Sequence, residues 1–99
     1  MSVVIDLHLK AKDQENYDKL YGTLQAILPD TAKYDGAQLI SCSANPDDLT
    51  FIVHEVWETA EHQQKYIGWR QERGDVDVLV SMLAEPPNFV QRQHLDFGG

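Results

Sequence analysis

Residues 51–70 read FIVHEVWETAEHQQKYIGWR, and the way this stretch changes period decides the fold. Phe51, Val53, Glu55 and Trp57 alternate onto one side of an extended chain, and Ile52, His54 and Val56 onto the other. A carboxylate therefore shares a face with an indole. Thr59 has the residue type of a helix N-cap, whose hydroxyl accepts from a free backbone N–H of the first turn. Glu61 follows where the helix dipole favours negative charge, so the strand stops at about Trp57. Tyr66, Trp69, Arg70 and Arg73 then recur at helical spacing, a stripe of aromatic and guanidinium groups that leans back over the strand. A sheet, a helix and a polar-aromatic gap between them are the makings of a small-molecule pocket.

Working outward, Val3 to Lys10 alternate as another strand, with Val3, Ile5, Leu7 and Leu9 on its core face. Asp13 can cap the helix that carries Tyr17, Leu20, Tyr21, Leu24, Ile27 and Leu28 on one buried stripe. Pro29 lacks an N–H and disfavours helical geometry in Leu28, so the spacing predicts an end or a kink there, with a short turn through Lys33. Tyr34-Asp35-Gly36 is a turn. Residues 37–43 form a second strand, and the polar turn at residues 44–48 makes it a hairpin with the third strand, which starts at Leu49 or Thr50 and runs to about Trp57. Beyond the central helix, Gly74 punctuates, Asp75 can cap, and Val76, Leu79, Val80 and Leu83 form a second apolar stripe before Pro86-Pro87. Residues 88–97 close as an edge strand in which Phe89, Leu95 and Phe97 share a face with Gln91 and Gln93.

Strand, helix, strand, strand, helix pair, strand predicts an α+β fold, a ferredoxin-like antiparallel sheet with helices on one face. The other face then carries Val4, Asp6 and His8 beside Ile52, His54 and Val56. A face so mixed is a poor final surface, so a second copy is expected to cover it and make a homodimer.

The totals narrow the function classes. Ninety-nine residues make a single domain over 1–99, long enough to hide roughly 60 to 70% of the surface of its unfolded chain. Sixteen acidic against eight basic residues leave a net charge of −8, which repels phosphate backbones and anionic lipid and argues against nucleic acid as a partner. No apolar run approaches the roughly 20 residues of a membrane span, and MSVVIDLHLK lacks the pattern of a signal peptide, so a cytoplasmic location without membrane contact is expected. The one cysteine, Cys42, lies in an apolar strand and reads as a buried small hydrophobe.

Four features taken together resemble the antibiotic biosynthesis monooxygenase family. They are the glycine turn Tyr34-Asp35-Gly36 before the second strand, FIVHEVWET with its Glu-x-Trp, the helix bearing Tyr66-x-x-Trp69-Arg70, and LAEPPNF before the last strand. The resemblance covers nearly the whole chain. It implies a dimeric α/β barrel built from two sheets, with a cavity in each subunit between its sheet and its own helices, lined at the Trp57 position. Members that oxidise polyketide phenols without a cofactor use a tryptophan with nearby asparagine, tyrosine and arginine. Trp57 maps onto that tryptophan, while Tyr66 and Arg70 match the others in type. Haem-degrading relatives use a first-strand asparagine and a helix histidine; here the first strand has Asp6 and His8 and the helix has Tyr66, a departure that argues against haem.

The residues support a sharp and a bland reading side by side. Glu55 is either a general base in a partly dry cavity or a carboxylate paired with Arg70 or Lys65. Trp57 is either core or the wall of an aromatic site. His8, His54, His62 and His94 form no His-x-x-x-His pair, so they read as scattered surface or interface residues, His62 on an exposed helix start, and no metal is expected. Tyr17 and Tyr21 pack on the first helix's buried stripe, with hydroxyls that a phenolic ligand can satisfy. The function this predicts is a cofactor-independent monooxygenase for an electron-rich phenol, hydroquinone or polyketide-like aromatic, with dioxygen as co-substrate. Trp57, Tyr66, Trp69 and Tyr21 would bind the ring, Glu55 or His54 would be the base, and Arg70 would steady the phenolate. The alternative is a dimeric small-molecule-binding or detoxification protein, or an isomerase or lyase, on the same scaffold.

Overall fold

Strand alternation settles which side of the sheet the helices take. In the computed structural model, which describes residues 2–98, the elements are β1 (Val3–Lys10), α1 (Gln14–Ala32), β2 (Ala37–Asn45), β3 (Thr50–Trp57), α2 (Ala60–Glu72), α3 (Asp75–Ser81) and β4 (Asn88–Gln93). The antiparallel sheet has the order β2-β3-β1-β4, the α+β ferredoxin-like arrangement expected from the sequence. Register places Val3 opposite Trp57, Ile5 opposite Glu55, Leu7 opposite Val53 and Leu9 opposite Phe51, so every apolar residue of that set faces the helices. Leu20 and Leu24 of α1 close over Leu9, Phe51 and Val53, and Tyr17 stacks on Phe51 with centroids 4.7 Å apart. Each fully buried leucine or valine here is worth roughly 1.5 to 3 kcal/mol.

The N-caps form as expected: Asp13 accepts from the Asn16 N–H at 2.8 Å, and Thr59 from the His62 N–H at 3.2 Å. Other boundaries differ from the sequence reading. Helix α1 does not end at Pro29 but continues to Ala32 with the proline inside it. The ring costs a backbone bond near the helix end, but Thr31, wholly buried, anchors the last turn through the Ile27 carbonyl and the Tyr66 hydroxyl. Asp75 does not cap α3; Gly74, at φ +82°, holds that position, and Asp75 instead accepts from two arginines. No residue of α3 is buried, so the expected apolar stripe is a partial roof: Val80 is exposed, Leu79 packs partly buried against the core, and Leu83, beyond the helix, is buried in it and bridges to Ala11. β4 ends at Gln93, leaving Leu95 and Phe97 exposed rather than on a strand face. Cys42 is exposed, not buried, because β2 is a sheet edge incompletely roofed by α1. Partial desolvation still pushes its thiol pKa up.

His62 is half-buried rather than on an exposed helix face, because its side chain packs on Gly36. A Cβ at Gly36 would meet the imidazole at 2.4 Å, and φ there is +88°, so the turn requires glycine. On the face away from the helices, Asp6 accepts from Arg92 Nη1 at 3.0 Å and lies 2.6 Å from His54 Nδ1, among Val4, Ile52, Val56 and Val90. Among the described residues no helix is long and apolar enough to cross a membrane.

Candidate functional site

Two positions apart on β3, Trp57 and Glu55 point the same way, and the indole Nε1–H donates to Glu55 Oε1 at 2.9 Å. Trp57 is wholly buried, packed on Ile5 with the Tyr66 ring centroid 5.2 Å away and Tyr34 edge-on at 6.4 Å. Its role in the site is to aim one N–H. Glu55 is 3% exposed and faces a small cavity of about 60 Å³ between the sheet and the three helices, walled by Leu24, Leu28, Val53, Ile67 and Leu79. Burial pushes its carboxyl pKa up; the Trp57 N–H works against that rise and the negative charge of Asp6 adds to it. A carboxylate in such a place wants a further donor or a proton.

Arg70, across the cavity, is in the opposite condition. Its Nε donates to the Tyr66 hydroxyl oxygen at 2.8 Å, Nη1 to Asp75 Oδ2 at 3.0 Å, and Nη2 to the Ile27 carbonyl at 3.2 Å and Thr31 Oγ1 at 3.4 Å. The Thr31 hydroxyl donates to Ile27 O, so the Tyr66 hydroxyl donates to Thr31. One unbroken run of hydrogen bonds thus straps α2 to α1, and of the five guanidinium hydrogens only one on Nη1 is left over. Burial alone would lower the Arg70 pKa, but the bonds to Tyr66 and Asp75 outweigh it and hold the group charged. Asp75, bonded to Arg70 and to Arg73 Nε at 3.1 Å, is held below the usual carboxylate range by the first of these contacts above all.

Of the expected site residues, Glu55, Arg70 and Tyr66 line this one cavity. The anticipated pairing of Glu55 with Arg70 or Lys65 does not form, because Asp75 takes Arg70. Trp57 lies behind the cavity as core. Trp69 sits outside it, half-buried, with the Arg70 and Arg73 guanidinium carbons 4.7 and 5.0 Å from its ring centroid. His54 is on the other face of the sheet, since neighbouring residues of a strand point oppositely, and it is not brought together with Glu55. Tyr21 is 54% exposed and borders a separate open cavity of about 340 Å³ with Phe51, Cys42 and Pro29. That cavity is larger but carries no carboxylate or cation. Thr31 and Asp75 escaped the sequence reading, the first because it follows a proline and the second because a residue after glycine reads as a cap. Among the described residues no group of three or more His, Cys, Asp or Glu side chains is placed to hold a metal ion.

No protein-family model and no curated protein matches the sequence. Solved structures do. The Mycobacterium tuberculosis protein Rv0793 is similar with a TM-score of 0.85 at 14% identity, covering 100% of both chains. A structure described as an antibiotic biosynthesis monooxygenase has a TM-score of 0.81 at 13% identity, covering 97% of this chain and 100% of that one. A monooxygenase of Streptomyces coelicolor, solved with nanaomycin D, has a TM-score of 0.77 at 15% identity over 96% of this chain and 88% of that one. Likenesses at this level of identity speak for the fold, and the fold of this chain is the one found in the antibiotic biosynthesis monooxygenase-type proteins that its sequence resembles.

Proposed function

We propose that the protein is a cofactor-independent monooxygenase that takes a small electron-rich phenol or hydroquinone into the Glu55 cavity. The observation that carries this is a nearly dry carboxylate with one protein donor, on the wall of an apolar cavity. Loss of hydration raises the basicity of Glu55, which suits it to remove a phenolic proton near neutral pH. The phenolate then passes one electron to dioxygen, and in a phenol unsubstituted at the para carbon the two radicals join there. The resulting hydroperoxide loses the para hydrogen as its O–O bond breaks, so one phenol and one dioxygen become one quinone and one water. In a hydroquinone the radicals join at a ring carbon that still bears a hydrogen, giving a hydroxyquinone and water by the same loss. The substrate supplies every electron, and the protein contributes the base, the orientation and the exclusion of water. The spare Nη1 hydrogen of Arg70 meets the phenolate, the Tyr66 ring flanks it, and Trp57 positions Glu55. Because the closed cavity is small, α3 swings outward to admit the ring; it buries none of its own residues and is tied to α2 by Arg70 and Asp75.

The nearly saturated Arg70–Tyr66–Thr31 strap favours a second reading, a small-molecule-binding protein without catalysis, since it offers a ligand only one Arg70 hydrogen beside the under-partnered Glu55. Oxygen uptake with a panel of hydroquinones and para-unsubstituted phenols, in chelated buffer with autoxidation subtracted, separates the two. Catalysis predicts turnover that falls on the order of 100-fold or more in Glu55→Gln. Binding without uptake establishes the second reading, and uptake unchanged by the substitution removes Glu55 as the base.

The working form in this proposal is a cytoplasmic, single-domain homodimer whose second copy covers Leu39, Ile52, Val56 and Val90 around the Asp6–His54–Arg92 cluster. Val56→Asp and His54→Glu are expected to weaken it by setting like charges in a dry interface. A monomer at micromolar concentration in sedimentation equilibrium would overturn it.

A further inference from the structure

On the far side of α2 from Glu55, between that helix and the β1–β4 edge of the sheet, lies a groove of about 280 Å³. Its walls are unusual in kind. Four glutamines line it, Gln63, Gln64 and Gln71 from α2 and Gln91 from β4, together with the Phe89 ring, which is 46% exposed. None of the lining residues is charged. Gln63 is only 7% exposed, yet its amide makes no hydrogen bond to any described residue, and neither do the side chains of the other three. Among the described residues no buried side-chain polar atom lacks a partner, so the Gln63 amide keeps access to solvent and, on the wall of this groove, is free to pair with a ligand. Gly68 lies on the same helical face, where a Cβ would meet nothing within 4 Å, so the groove stays open along the helix.

We infer that this groove is a second ligand site, for a neutral planar molecule with a carboxamide, lactam or imide edge. A glutamine side chain presents one acceptor and two donors in a plane, and pairs bidentately with a partner that offers a donor beside an acceptor. Phe89 and Ile67 supply apolar surface for the ring. The absence of charged walls, on a chain of net charge −8, disfavours an anion and leaves a cation without a counter-charge. The site is divided from the Glu55 cavity by Ile67, which lines both, and does not depend on the reaction proposed there.

The probe is 2-quinolone, a neutral bicyclic lactam, titrated into the full chain while side-chain and backbone amide signals are followed by NMR. The Gln63 side-chain NH₂ and the Gly68 backbone amide are expected to shift together and saturate. 1-Methyl-2-quinolone, which keeps the ring but lacks the donor, is expected to bind at least about tenfold more weakly, as a site built for a hydrogen bond rejects a ligand that cannot make it. Gln63→Leu is expected to lose binding to the same extent while its urea midpoint stays level or rises, since no protein bond is removed. Gly68→Phe, which fills the groove, should abolish binding with the fold intact. Four results would each overturn the inference: no saturable shift with 2-quinolone, equal binding of the methylated probe, shifts confined to Leu24, Leu28 and Phe51, or a lowered midpoint in Gln63→Leu.

Discussion

The two walls of the Glu55 cavity carry opposite charges and have been treated in opposite ways by the fold. On the helix side, Arg70 spends four of its five donors on Tyr66, Asp75, Ile27 and Thr31. On the sheet side, Glu55 has a single N–H from Trp57. Both side chains are buried, so the difference lies in partners and not in exposure. A saturated ion stabilises structure and has little left to give a ligand; an ion short of partners costs stability and is ready for chemistry. The comparison separates which charged residues of a pocket hold it together from which can act in it.

The largest expected effect tests Trp57, which serves both walls. Trp57→Ala should destabilise by about 3 to 5 kcal/mol through lost packing, measured by urea unfolding, because the indole is core and borders no void. Trp57→Phe should recover most of that stability but leave Glu55 without its donor, moving the acidic limb of any pH–rate profile further up. If Phe restores both properties, the indole N–H does not tune Glu55.

Next in size, Arg70→Met should cost roughly 2 to 3 kcal/mol, since it leaves the buried Tyr66 and Thr31 hydroxyls short of a partner and the partly exposed Asp75 with Arg73 alone. The same substitution tests the sign of the Asp75 contribution. A carboxyl held below its usual pKa stabilises the native state above its unfolded pKa, and that stability is lost as pH falls through the folded value. Wild type and Arg70→Met should therefore converge in stability on acidification. A loss that is constant with pH would break the saturated-wall description.

The smallest effect has the opposite sign. With its folded pKa raised, Glu55 contributes stability below its unfolded pKa, and this contribution is lost as pH rises through the folded value. Glu55→Gln should thus be more stable than wild type at pH 7 to 8 by about 1 kcal/mol, the scale of relieving one under-partnered buried group. The gap should close toward pH 4. A less stable Gln variant at neutral pH would show Glu55 to be a structural residue like Arg70.

Periodicity and the residue types at caps and turns determined the element order, the faces of β1 and β3, the Asp13 and Thr59 caps and the turn at Tyr34-Asp35-Gly36, because each of these follows from backbone geometry within a few residues. Periodicity placed Glu55 beside Trp57 for the same reason. Tertiary structure decided what those side chains meet. Thr31 holds a helical turn past Pro29 because Tyr66, 35 residues on, binds its hydroxyl, and Arg70 leaves Glu55 alone because Asp75 reaches it first. Tyr21 and Cys42 fit an apolar pattern yet lie open, since α1 does not fully roof the edge strand β2. Local rules act on φ, ψ and the next turn, whereas the partner of a long polar side chain is chosen by whichever segments the finished sheet brings within about 3 Å of it.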